Sequence, residues 1–390
     1  MSKPSLRSGF TTGTCAAAAA KAAAVFLLTG RAAERVTIHT PQGILAELTA
    51  ETVMSGEFQG YCRVRKDAGD DPDVTHGSWI YGKVAVITPE RWQELRQSGQ
   101  GYTADEYPGW YLTGGPGIGI VTKPGLSCPV GRYAINPVPR KMIMAAAAQV
   151  WEAVREEEAE SLEIRIAIPA GIHLAEKTFN PRLGIVGGIS VLGTSGIVEP
   201  MSEQALLETI RLDIRMKVRE SEGRVILTPG NYGAIFLQET MGIPLGEAVK
   251  CSNFIADALE FLVAEGAGQV LLAGHIGKLI KVTGGVRNTH SRYGDRRMEL
   301  LAAIVGEYQP ELTATVQQAN TTEEVMGLLV EHGLAALVLD RAAELVKQQA
   351  ERWLREASVP SMNSERGIQV EVVTFSSVYG ILGKTRGVQI

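Results

Sequence analysis

The sequence predicts two domains of different class: an N-terminal α+β domain with a mixed sheet over residues 1–158, and a C-terminal Rossmann-like α/β domain, doubly wound on a mostly parallel sheet, over 159–390. Three observations carry that expectation. The chain has 390 residues, whereas a single domain commonly holds on the order of 100–200. Its first part shows strand-like runs without a helix between each pair; its second part repeats a strand, a Gly loop and an amphipathic helix. Finally, 45% hydrophobic and 21% charged residues make an ordinary globular profile, unlike a disordered chain or a coiled coil.

The first element is a helix from about Cys15 to Leu28, with Thr14 as N-cap and Gly30 as stop. Its alanine run does not read as a signal peptide, because Lys21 interrupts it and no cleavage site frames it. Runs at Val36–Thr40, Ile44–Thr49, Tyr61–Arg65, Val84–Ile87 and Gly119–Thr122 read as strands. A helix from near Pro139 to the acidic Glu156-Glu157-Glu158 closes the domain. Beyond Leu162 the strands are Ile164–Ile168, Gly188–Leu192, Val225–Thr228, Val270–Ala273 and Val370–Phe375. Leu206, Ile210 and Ile214, then Ile255, Leu259 and Leu262, mark apolar faces of the intervening helices.

Net charge of −5, from 38 basic and 43 acidic residues, argues against nucleic acid or an anionic membrane as partner. The four cysteines, Cys15, Cys62, Cys128 and Cys251, lack CxxC spacing and suitable histidine neighbours, so they read as reduced thiols and not as a zinc site. A cytoplasmic, soluble protein without a metal site of its own is the expectation.

Chemistry is expected in the Gly-rich loops. Gly9-Phe10-Thr11-Thr12-Gly13-Thr14 runs into a helix, where free N–H groups, the helix dipole and Arg7 suit a phosphate or carboxylate. Gly114-Gly115-Pro116-Gly117-Ile118-Gly119 has the letters of a dinucleotide fingerprint but precedes a strand, so it reads as a loop over a ligand, with Lys123, Arg132, Arg140 and Lys141 following. Asp67-Ala68-Gly69-Asp70-Asp71-Pro72-Asp73 clusters four carboxylates, which would orient a cation or raise one acid's pKa by like-charge repulsion. A solvated turn explains the same run. Gly193-Thr194-Ser195-Gly196 and Gly230-Asn231-Tyr232-Gly233 sit where a parallel sheet binds nucleoside cofactors, and a tight βα turn is the plainer alternative. Lys177, Arg182, Lys278, Lys281 and Arg287 lie near loop ends suited to an anionic substrate. His275 and His290, with Asp295 nearby, are the histidines in an acid–base setting.

Taken together, several strings resemble the cobalt-precorrin-5B C1-methyltransferase family, CbiD. They are Leu6–Cys15 with its alanines, Lys66–Thr75, Ala134–Arg140, Lys177–Ile185, Gly193–Met201 and Gly274–Leu279. The resemblance implies transfer of a methyl group from S-adenosylmethionine to C1 of cobalt-precorrin-5B, giving cobalt-precorrin-6A in the oxygen-independent route to cobalamin. The cobalt belongs to the substrate. On this reading Gly193, Thr194, Ser195, Gly196, Gly230, Asn231 and Gly233 hold the cofactor. Arg7, Thr11, Thr12, Lys123, Arg140, Lys177 and Arg182 grip substrate carboxylates, and Asp67, Asp70 or His275 relays a proton. The expected partner is a small tetrapyrrole, with a homo-oligomer and transient contact with neighbouring pathway enzymes left open. Two rivals stand: an ATP- and magnesium-dependent kinase or ligase, from the Gly9–Thr14 loop, and a non-catalytic tetrapyrrole carrier, from the basic loops.

Overall fold

The computed structural model describes residues 6–56, 59–154, 161–358 and 367–388. Its contacts divide the chain into two units, Met1–Ser202 and Glu203–Ile390.

The N-terminal unit is organised by its alanine helix. α1 (Thr12–Thr29) starts at Thr11, whose side chain accepts from Thr14 N, and stops at Gly30 in the left-handed conformation (φ 69°). The cap lies three residues before the expected Thr14, because the Thr14 hydroxyl turns inward and donates to Gly196 O at 2.6 Å. The helix packs on a six-stranded sheet of β1 (Arg35–His39), β2 (Leu45–Gly56), β3 (Gln59–Arg65), β4 (Trp79–Val86), β5 (Trp110–Gly114) and β6 (Leu162–Ala167). Their order is β1-β2-β3-β4-β6-β5, antiparallel throughout except for the β5–β6 pair.

Only alanine and glycine permit the approach seen here. A Cβ on Gly60 would lie 1.9 Å from Ala23 O, and one on Gly82 would lie 2.5 Å from the Ala19 carbonyl carbon. Thr12–Thr29 is long and apolar enough to cross a membrane, but 67% of it is buried in this core. α2 (Pro137–Val154) packs beside it through Ile143, Met144 and Ala147.

The unit boundary differs from the expected one. Residues 155–160, where the sequence places it, lie outside the described residues. Past them, β6 does not open a new domain; it inserts between β4 and β5 of the first sheet. Its buried Leu162, Ile164, Ile166 pattern suits a central strand of either sheet. Gly188–Leu192, expected as a second such strand, makes a two-residue parallel pair, Gly188–Ile189 with Gly117–Ile118, and a single parallel bridge from Val191 to Ile135.

The C-terminal unit begins with α3 (Glu203–Glu220) and continues β7 (Arg224–Thr228), α4 (Asn231–Met241), β8 (Ala248–Lys250), α5 (Ile255–Ala264), β9 (Gln269–His275) and α6 (Ile276–Thr283). After further helices, α7 (Ala335–Ala357) leads to β10 (Gln369–Ser376) and β11 (Gly380–Lys384). The sheet order is β8-β7-β9-β10-β11, parallel except for β11. Val225, Leu227, Val270 and Leu272 meet α3, α5 and α7, whereas Ala273 and Val373 meet Leu237 of α4. Both sheet faces are therefore covered, as the near-continuous apolar strands require. The first strand, β7, lies between the second and the third, so the winding reverses between β7 and β9.

Candidate functional site

In the N-terminal unit three separated segments converge at the start of α1. Gly9–Phe10 pairs antiparallel with Ile197–Val198. Phe10 N donates to Asp67 O at 2.7 Å and Asp70 N donates to Arg7 O at 2.9 Å. A Cβ on Gly9 would meet the Ala68 backbone at 2.1 Å. The loop expected to hold a cofactor, Gly193–Gly196, is the third segment. It therefore belongs to this unit, apart from Gly230–Gly233, and it is not a turn of the parallel sheet.

The same contacts engage several of the donors expected to bind an anion. Thr11 N goes to Gly196 O, Gly13 N to Leu192 O and Thr14 N to Thr11 Oγ1. Thr12 Oγ1 donates to Leu192 O at 3.0 Å and accepts from Leu192 N at 2.9 Å. Thr11 and Thr12 thus fasten the loop, and their hydroxyls are engaged within the chain.

Arg7 forms a bidentate pair with Asp67 at 2.5 and 2.9 Å. That guanidinium, with the Gly69 amide, holds the Asp67 carboxyl at about 2, so the raised acid expected from like-charge repulsion is not found there. Asp70 Oδ2 accepts from Arg7 N at 2.6 Å. The sequence reading missed the fully buried Lys66, whose ammonium meets Asp73. Burial pushes the Asp73 carboxyl up, but Lys66 and the Thr75 donors outweigh it and hold it below its ordinary value. Lysine directly before an acidic run was the available signal.

The other expected substrate residues are distributed. Arg140 lies 4.0 Å over the Tyr102 ring with its Nε buried and unpaired. Lys123 is exposed, with its stem against Gly184. Lys177 and Arg182 are exposed, and Arg182 lies 5.9 Å over Phe179. Gly114–Gly119 is mostly buried; a Cβ on Gly117 would sit 1.8 Å from Ile168 O, so close backbone packing explains this glycine.

In the C-terminal unit the loops after β7 and β9 meet the reversal of winding, the position where open α/β sheets bind ligands. After β7, Gly230 (φ 95°) starts α4 without a side-chain cap. The Thr228 hydroxyl beneath the first turn is buried and unpaired, and Gly233 leaves it room: a Cβ there would meet Thr228 Oγ1 at 1.6 Å. Lys250 Nζ donates to Asn231 Oδ1 at 2.8 Å. A helix N-terminus with a cation beside it suits a carboxylate.

After β9, His275 caps α6: its Nδ1 accepts from Gly277 N at 3.1 Å, and its Nε2 lies 3.4 Å from Glu323. Burial lowers its pKa despite Glu323, so the ring is neutral with its proton on Nε2. Lys278 reaches Asn253 Oδ1 at 2.8 Å. The expected His/Asp pairing is replaced, since Asp295 is held by Arg297 at 2.6 Å and lowered to about 2 by it. Lys281 is buried on the carbonyls of Thr289 and Gly294, and Arg287 is paired with Glu260.

In the same unit a cleft of about 490 Å³ has Glu203, Phe254, Asp257, Arg287, Asn288 and Tyr293 in its lining. Burial, chiefly, raises the Asp257 carboxyl. This residue was also missed, although its place in the first turn after a parallel strand was a usable signal. Among the described residues no three His, Cys, Asp or Glu side chains cluster as metal ligands, and all four cysteines are buried free thiols.

The family model CbiD matches residues 1–200, and the model for the CbiD C-terminal domain matches 288–386. The chain belongs to the CbiD family. Relatives named cobalt-precorrin-5B C(1)-methyltransferase include one from Ruminiclostridium cellulolyticum, 43% identical over 88% of this chain and 84% of that protein. Another, from Alkaliphilus metalliredigens, is 39% identical over 97% of this chain and 92% of that protein. A crystal structure described as the cobalamin biosynthesis protein cbiD from Archaeoglobus fulgidus is 25% identical, covers 75% of this chain and 84% of that one, and superposes with a TM-score of 0.39. The CbiD match of residues 1–200 closes within two residues of the unit boundary at Ser202.

Proposed function

We propose that this CbiD chain methylates C1 of cobalt-precorrin-5B, using S-adenosylmethionine and releasing S-adenosylhomocysteine and cobalt-precorrin-6A. The observation that carries the reading is the shared name of relatives about 40% identical along most of the chain. The cobalt enters as part of the substrate.

S-adenosylmethionine, when bound, supplies a methyl group already activated on a sulfonium. In the transfer a C–C bond forms to the ring carbon, the S–C bond breaks, and its electron pair stays on sulfur. The protein's task is mainly alignment, and no protein nucleophile is required. We assign the C-terminal unit, read as Rossmann-like, to the cofactor. The uncapped start of α4 at Gly230, Asn231 and Gly233, with Lys250, suits the methionyl carboxylate. Asp257, beside Phe254 and Tyr293, suits a sugar hydroxyl and a flat base. The N-terminal unit is assigned to the tetrapyrrole. Lys123, Lys177 and Arg182 are exposed there for its carboxylates, while Arg7, Thr11 and Thr12 shape the ground beneath. Proton relay falls to His275, whose neutral ring is oriented at both nitrogens. Asp67, fixed as a carboxylate by Arg7, orients its turn instead.

The test is an oxygen-free incubation of the protein with S-adenosylmethionine and enzymatically generated cobalt-precorrin-5B, read by mass spectrometry. A product heavier by one methyl, appearing together with S-adenosylhomocysteine, is expected. Binding of the macrocycle without any methylated product would favour the carrier instead.

A further inference from the structure

A second cleft, of about 450 Å³, opens in the N-terminal unit on the sheet face opposite α1 and on residues outside all the assignments above. Its lining includes Arg65, His76, Trp79, Tyr81 and Pro169. Strand alternation builds it. Ile80 and Gly82 face the helix, so Trp79 and Tyr81 face the other way, with Arg65 opposite Trp79 in the pairing of β3 with β4.

The arginines here are not equivalent. Arg63 lies 4.0 Å over Trp79 and is paired with Glu51 at 2.7 Å. Arg65 has no carboxylate within ion-pair distance among the described residues; its Nε donates to Gly77 O at 3.3 Å, tethering the guanidinium while leaving its terminal nitrogens. Nδ1 of His76 accepts from Ala68 N at 3.1 Å, so Nε2 remains to donate. The turn that carries His76 is held by Gly77 N to Lys66 O and Lys66 N to Ser78 O. A positioned cation, an imidazole N–H donor and two aromatic side chains in one open cleft match a flat conjugated ring with a carboxylate arm.

We propose that this cleft is a subsite for one carboxylated pyrrolic edge of the methyl-acceptor macrocycle. Arg65 and His76 hold the carboxylate, and Trp79 and Tyr81 lie against the ring. The volume suits an edge and not a whole macrocycle, leaving the reacting carbon outside the cleft. The proposal rests on the methyltransferase reading for the identity of the ligand.

The probe is uroporphyrin, a stable porphyrin with acetate and propionate arms, titrated into the full chain and followed by its absorbance. Arg65→Ala should raise its Kd by about tenfold to a hundredfold, the usual range for loss of a charge-assisted hydrogen bond, and Arg65→Lys should recover part of the loss. Trp79→Leu should weaken binding about tenfold or more. Affinity for S-adenosylhomocysteine and the thermal midpoint of Arg65→Lys should stay at wild-type values. In the methyl-transfer assay Arg65→Ala should raise KM by the same order with kcat within about threefold. If the wild type turns over and both Arg65→Ala and Trp79→Leu keep Kd and KM within twofold, the subsite is wrong and the function stands. If binding depends on Arg65 while the wild type transfers no methyl, the function is wrong and the subsite stands.

Discussion

His275 shows how one side chain can serve structure and chemistry at once. Its Nδ1 caps α6 and its Nε2 meets Glu323, and burial holds the ring below its ordinary pKa. Protonation would add a hydrogen where the Gly277 amide already points. Because the folded pKa lies below the unfolded value of about 6.5, the unfolded chain takes up the proton first, and stability falls as pH drops through that value. His275→Asn keeps a capping acceptor and should stay within about 0.5 kcal/mol of wild type at pH 8, whereas His275→Ala should lose about 1 kcal/mol. Denaturant titrations at pH 8 and 6 measure both, and the wild type's loss between those values should be absent in His275→Asn. Lys66 presents the opposite case, a cation with 1% exposure facing the Asp73 carboxylate. Lys66→Met strands that carboxylate and should destabilise the chain by about 3 kcal/mol. Asp73→Asn in the same background should restore part of it, and recovery of nothing would mean that the ion pair is not what holds the turn.

At the level of elements, the contact between α1 and its sheet leaves no space for side chains. Gly60 and Gly82 face Ala23 and Ala19 at distances that any Cβ would violate against backbone atoms. Gly60→Ala should therefore cost about 2–3 kcal/mol by overpacking, and a chemical melt reads it directly. Gly43, whose Cβ position is open but whose φ is 80°, should respond to alanine by backbone strain alone, about 1 kcal/mol. These contacts also explain what the sequence reveals. Gly30 as helix stop, the strands near Val36, Ile44 and Tyr61, and the helices carrying Ile210 and Leu259 were legible, because local periodicity and caps determine them. The place of β6 was not: its alternation of Leu162, Ile164 and Ile166 with Glu163 and Arg165 marks a strand but not its neighbours, which lie some 50 to 80 residues earlier in the chain. Nor was the use of the Gly9–Thr14 amides, because the acceptors Leu192 and Gly196 lie some 180 residues away. Motif strings single out these segments; the fold adds that Thr11 is bonded to Gly196 and Thr12 to Leu192.

At the scale of the whole molecule, the proposed function divides cofactor and macrocycle between two units with separate cores. The alanine helix centres one core, and the apolar strands β7, β9 and β10 centre the other. Ligand effects should follow that division. S-adenosylhomocysteine should slow amide exchange around 230–233 and 275–278, which flank the reversal between β7 and β9, and around 253–257, which lines the cleft beside Asp257. Uroporphyrin should instead slow exchange around 65–81, the lining of the cleft beside Arg65. Each ligand should also raise the thermal midpoint as its concentration passes Kd, since it binds the native state. Exchange mass spectrometry on the full chain with each ligand alone separates the outcomes. Protection by S-adenosylhomocysteine at 193–196 with none at 230–233 would return the cofactor to the N-terminal unit, and the tight hydrogen bonding of Thr12 and Thr14 to Leu192 and Gly196 would then have to open to admit it.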